Sequence, residues 1–125
     1  MREIKFRGWE RELQMMVYDT ELGGWIFEYD GNPVRAVNQM INEEDYFYDL
    51  MQYTGLKDKN GTEIYEGDII WDAHAEIHGK VTFDEGTFCV EWKTHIEHLF
   101  EVVSDYYAEV IGNIYENPEL LGNNQ

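Results

Sequence analysis

From residue 51 onward the chain is cut into short apolar segments by turn signals, and this spacing limits the fold more than any other feature. Gly55, Asp58-Lys59-Asn60-Gly61, Glu66-Gly67-Asp68 and Asp84-Glu85-Gly86 supply residues that accept positive φ or bond their own backbone at a bend. The pieces between them, Met51 to Thr54, Thr62 to Tyr65 and Ile69 to Trp71, read as strands. Leu99 to Val103 and Glu109 to Tyr115 read as two more. The clearest hairpin turns at Asp84-Glu85-Gly86. Val81 and Phe83 precede it on one face, Phe88, Val90 and Trp92 follow it on one face, and Cys89 and Glu91 point the other way. Asp68 is placed to accept backbone N–H groups at its bend. Asn117 as N-cap and Pro118 as first helical residue predict a one-turn terminal helix. About five short strands separated by such turns predict a small β-barrel of SH3-like size over residues 51–121, with 122–125 as a tail.

Residues 1–50 are too short to bury much core alone and are expected to pack on the barrel as a β-rich lobe. Glu3 to Trp9 alternates polar with apolar, placing Ile4 and Phe6 on one face and Lys5 and Arg7 on the other. Leu13 to Tyr18 reads as a second strand, and Trp25-Ile26-Phe27 as a third behind the Gly23-Gly24 turn. Only Pro33 to Asp49 tolerates a helix, with Val37, Met40 and Ile41 at helical spacing. The predicted class is therefore mainly β: a small SH3-like barrel, an N-terminal β-rich lobe and one or two short helices.

Charge limits the partners. The 26 acidic residues outweigh 9 basic ones, for a formal net charge of −17. Residues 1–11 carry a local +2 (Arg2, Lys5, Arg7 and Arg11 against Glu3 and Glu10), leaving −19 on the rest. Phosphate binding needs clustered cations, so direct nucleic-acid binding is not expected. An acidic surface suits solubility, a basic protein partner or imitation of nucleic acid. The basic first strand, added at a sheet edge, would also join acidic copies of the chain into a homo-oligomer. Apolar runs stop at three or four residues, so no membrane span is expected, and no hydrophobic stretch marks a secretory signal. The single cysteine excludes an internal disulfide and fits a reducing cytoplasm.

Chemistry is sparse. Gly55 to Gly61 lacks the Lys-Ser/Thr pair of a phosphate loop and reads as a hairpin turn. Ser104, the only serine, has no nucleophile elbow around it. Cys89 lies mid-strand among apolar residues, as an inert cysteine does, although His95 and His98 follow it. His74, Glu76 and His78 alternate and would share one face of a strand. With His95 or His98 they form the one metal constellation worth weighing, against the simpler reading of polar residues on a solvated hairpin. Tyr46-Phe47-Tyr48 and Tyr106-Tyr107 cannot all face one core, and their acidic neighbours suit a protein contact better than stacked bases. No catalytic, cofactor-binding or metal residue is assigned, and no enzyme activity is expected.

Ile4 to Trp9, Gln52 to Gly61, Glu63 to Ile70 and Val110 to Leu120 together resemble the YopX-like family of bacteriophage and prophage proteins. Residues 19–50 and 72–107 match it loosely, and Gly8 stands where that family usually has alanine. The resemblance implies a mainly β fold in a bacterial cytoplasm and brings no catalytic residue or cofactor. The leading expectation is a non-enzymatic accessory protein acting through protein contacts. A nucleic-acid-associated role, by acidic mimicry or single-strand binding, is the alternative. A metal-dependent hydrolase using His74 and His78 is the third.

Overall fold

Hairpin chemistry sets most of the observed elements. The computed structural model describes residues 4–18 and 48–122, with Tyr48 by its backbone alone. The expected Gly23-Gly24 turn, the strand at 25–27, Tyr46, Phe47 and residues 123–125 lie outside the described residues. So does the expected helix over 33–49, except for its last two residues, which are strand. The chain divides into two compact units, Ile4–Gln52 and Tyr53–Gln125.

In the first unit, β1 (Phe6–Glu10) lies between β2 (Met15–Tyr18) and the first half of β3 (Tyr48–Lys57), antiparallel to both. The buried Glu10 carboxylate closes the β1–β2 turn by accepting the N–H groups of Glu12 at 3.2 Å and Leu13 at 2.7 Å. Arg7 is 3% exposed, and its cross-strand neighbours are Tyr18 and Met51. Its guanidinium donates to the Tyr18 hydroxyl at 3.5 Å and lies 5.9 Å from that ring's centroid. Both ladders of β1 are filled, so the first strand has no free edge to offer another copy.

In the second unit, the rest of β3 turns at Asp58–Gly61 into β4 (Glu63–Tyr65). An antiparallel sheet follows in the order β8-β7-β6-β5-β9, from β5 (Asp68–Asp72), β6 (Ile77–Asp84), β7 (Thr87–Trp92), β8 (Ile96–His98) and β9 (Ala108–Asn113). The fold is mainly β, its curled antiparallel sheet forming a half-barrel. The core joins Ile64, Ile70, Val81, Phe88, Val90 and Trp92 to Leu99, Val102 and Ala108. Phe83 shares the Val81 face but lies near the hairpin tip, 53% exposed, its ring edge-on to Phe88 at 5.0 Å.

Several buried polar side chains act as backbone clasps. Asp58, 7% exposed, accepts the N–H groups of Asn60 and Thr62 at 2.9 Å each and that of Val110 in β9 at 2.8 Å. Asp68 accepts the Tyr65 N–H at 2.8 Å, as the bend requires. Gly67 beside it has φ 84, where a Cβ is penalised. Asn113 accepts the N–H groups of Tyr115 and Glu116, while its own N–H donates to the Asn117 side chain at 3.1 Å. The Asn117 oxygen thus turns back toward β9, ahead of the short helix α2 (Glu119–Gly122).

One expected strand is a helix. Leu99–Ser104 forms α1, burying Leu99 and Val102 at helical spacing, and Ser104 Oγ donates back to Phe100 O at 2.7 Å. The β-branched pair Val102-Val103 suggests a strand locally, but packing Leu99 and Val102 into the core outweighs that preference.

Candidate functional site

A cleft opens where the β6–β7 hairpin, β8 and α1 meet. The hairpin turns through Glu85 at φ 49 and Gly86 at φ 83, the double positive φ of a tight two-residue turn. That turn projects Asp84 and Glu85 at its tip. β7 and β8 pair with Cys89 opposite His98 and Glu91 opposite Ile96, so all four share one face. α1 adds Glu101. The resulting cleft, about 380 Å³, is lined by the acidic residues Asp84, Glu85, Glu97 and Glu101 and by Thr87, Cys89, Ile96 and His98. No lysine or arginine lines it.

Half of the residues that line this cleft are acidic. Cys89 is 4% exposed, and its thiol donates weakly to Thr87 O at 3.8 Å. Burial raises its pKa, and the negative charges of Asp84 and Glu85 raise it further. The thiol therefore stays protonated at neutral pH, the reverse of what a nucleophilic cysteine needs, even with His98 opposite it. His95 is held by Thr94 Oγ1 at 2.9 Å and Glu97 Oε1 at 3.3 Å. Beside the cleft, Lys80 pairs with Glu91 at 3.7 Å, an exposed contact of about 0–1 kcal/mol.

The structure separates the histidine constellation. His74 and Glu76 do not lie on a strand: residues 73–76 form a turn, with Glu76 at φ 58 and its N–H on Asp72 O at 2.7 Å. Asp72 Oδ1 clasps that turn by accepting the N–H groups of His74 and Ala75. His78, the second residue of β6, packs on Trp71 at 4.7 Å between ring centroids, whereas His74 stacks on Tyr107 at 5.0 Å. Among the described residues no three His, Cys, Asp or Glu side chains gather as a metal site would require.

Tyr106 and Tyr107 are 73% and 47% exposed, which agrees with the reading that both cannot enter the core. Cys89 and His98 were each visible in sequence, but their pairing was not. Only the three-residue strand β8 and the helix after it bring His98 and Glu101 to the hairpin. The alternation of Cys89 with Phe88 and Val90 was the one available signal that the thiol leaves the core face.

A family model described as YopX protein matches residues 5–122, nearly the whole chain. The crystal structure of protein EF1440 from Enterococcus faecalis is similar at 27% sequence identity and a TM-score of 0.63, covering 97% of this chain and 99% of that one. Among curated proteins there is no match. No described helix is long and apolar enough to cross a membrane.

Proposed function

The chain belongs to the YopX family, and from that premise we propose that it is a non-enzymatic accessory protein of the bacterial cytoplasm, acting by contact with a protein partner that bears a basic surface. The observation that carries this is the cleft, lined by four acidic residues with no lysine or arginine among them. A lysine or arginine entering there would meet charge of opposite sign inside a concave wall, where field lines concentrate. Complementarity of this kind speeds encounter and sets partner choice more than it adds affinity. The buried, protonated thiol of Cys89 leaves the cleft without an activated nucleophile. The Gly55–Gly61 loop serves as a hairpin whose Asp58 clasps β9.

The test is affinity capture from bacterial lysate with the wild-type chain and with Glu97→Lys/Glu101→Lys. A specific basic protein retained by the wild type and lost by the variant supports the reading. Retention of the same proteins by both refutes it. Acidic mimicry of nucleic acid is the special case in which the captured partner is a DNA-binding protein that duplex DNA displaces.

A further inference from the structure

Asn60 is followed by Gly61, and Asn-Gly occurs nowhere else in the chain. The pair sits at the tip of the β3–β4 hairpin, where both residues are exposed. Apart from its chain neighbours, nothing lies within 4 Å of the place a Gly61 Cβ would take. Asparagine before glycine is chemically distinctive, because no Cβ on the next residue shields that residue's backbone nitrogen from the asparagine carboxamide carbon. The other described asparagines lack this arrangement. Asn117 precedes Pro118, which has no N–H, and Asn113 precedes the β-branched Ile114.

The hairpin ties down both groups that would react. Gly61 N–H donates to Asp58 O at 3.0 Å, and Asp58 N–H donates to Thr62 O at 2.9 Å. The Asp58 carboxylate accepts the Asn60 and Thr62 N–H groups on Oδ1 and the Val110 N–H of β9 on Oδ2. The Asn60 carboxamide donates to Glu109 Oε2 at 3.1 Å. The nitrogen that can attack Asn60 Cγ is therefore engaged while the hairpin is closed and released when it opens locally.

We propose that Asn60 is a self-modification site, at which the chain deamidates and thereby loosens the hairpin from β9. Gly61 N gives its proton to solvent and attacks Asn60 Cγ. A C–N bond forms, the Cγ–Nδ2 bond breaks, and the leaving amide takes up a proton and departs as ammonia. Water then opens the five-membered imide at either carbonyl, leaving aspartate or isoaspartate at position 60. Both products set a carboxylate against Glu109 where an amide donated before. Isoaspartate also puts one more backbone carbon between residues 60 and 61, inside the ring of bonds that Asp58 closes with Gly61 and Thr62. Asp58 then loses the geometry in which its second oxygen holds Val110.

The experiment ages the full chain in mildly alkaline buffer, with and without denaturing urea. Mass spectrometry of the proteolytic fragment holding Asn60 reads the replacement of NH₂ by OH, and hydrogen exchange reads the Val110 amide. Conversion is expected at Asn60 ahead of every other asparagine, about tenfold or more slower in the closed fold than in urea. Val110 exchange should quicken in the aged wild type. It should quicken less in unaged Asn60→Asp, which carries the charge without the longer backbone. Asn60→Gln, whose ring closure needs six members, should age with Val110 exchange unchanged, which separates this chemistry from general unfolding. Earlier conversion at another asparagine, or equal rates at Asn60 in folded and unfolded chains, overturns the proposal. So does conversion at Asn60 that leaves Val110 exchange as it was in fresh protein.

Discussion

Asp58→Ala should be among the most damaging single changes in the second unit, although the residue sits in a hairpin loop. Its carboxylate is 7% exposed and accepts three backbone N–H groups at 2.8–2.9 Å, two within its own turn and one, Val110, from β9. Hydrogen bonds to a charged acceptor contribute about 1.5–3 kcal/mol each. Asn60 and Thr62 are exposed, so their N–H groups regain water and lose only about 0.5 kcal/mol apiece. The part-buried Val110 N–H has no such substitute, and stranding it costs about 2 kcal/mol. The expected loss is about 3 kcal/mol, a large share of the roughly 5–15 kcal/mol that holds a domain together. With a urea slope of about 2 kcal/mol/M, the midpoint followed by tryptophan fluorescence falls by about 1.5 M. Asp58→Asn should recover only part of this, because an amide keeps one acceptor for the turn and aims an N–H₂ at the Val110 N–H. Hydrogen exchange at Val110 should quicken in both variants. A midpoint shift below about 0.3 M for Asp58→Ala, at unchanged slope, would refute the reasoning.

Gly79→Ala should cost about 2 kcal/mol, since a Cβ there would sit 2.6 Å from Trp92 Cε3 and 2.7 Å from Val90 Cγ1 in packed core. Gly61→Ala, with φ 82 but open space around it, should cost about 1 kcal/mol, and urea melts that rank the two the other way would contradict the packing argument. Gly112→Ala drives a Cβ into the Asn117 carboxamide and so breaks the clasp on the Asn113 N–H. Its cost and that of Asn117→Ala should therefore overlap, and strictly additive losses in a double-mutant cycle would count against the clasp. For Cys89, a folded pKa raised above its ordinary value of 9.0 means that the folded state binds the proton more tightly. Its stabilising contribution is thus complete below pH 9.0 and declines as pH rises through the folded pKa. Wild-type stability measured relative to Cys89→Ala should fall over that alkaline window, and iodoacetamide at pH 8 should label the folded thiol more slowly than an unfolded chain. Labelling at the unfolded rate would exclude the buried, protonated thiol.

The local backbone follows from the sequence alone. Asn60-Gly61, Gly67-Asp68 and Glu85-Gly86 prescribe bends because positive φ and side-chain-to-backbone bonds act over two to four residues, and the structure places a turn at each. Alternation about the 84–86 hairpin likewise determined which of Phe88, Cys89, Val90 and Trp92 share a face. Gly67 and Asn113 are legible for the same reason, since they shape backbone, whereas Asn117, expected as a helix cap, turns its oxygen back to the Asn113 N–H.

The rest needed contacts between distant segments. Leu99 to Ser104 is helical because the core has room for Leu99 and Val102 on one side of a helix, a fact absent from the local string. Arg7 is buried because Tyr18 and Met51 flank it across two ladders, while alternation fixes only that it lies opposite Phe6. Residues 73–76 turn without glycine or proline because Asp72 clasps them, which removes the strand that would have aligned His74 with His78. The acidic cleft draws residues 84–89 against 96–101, and the His74–Tyr107 stack draws 73–76 against Tyr107. Side-chain periodicity reports which face a residue takes, but the identity of what stands opposite is set only when the strands have paired.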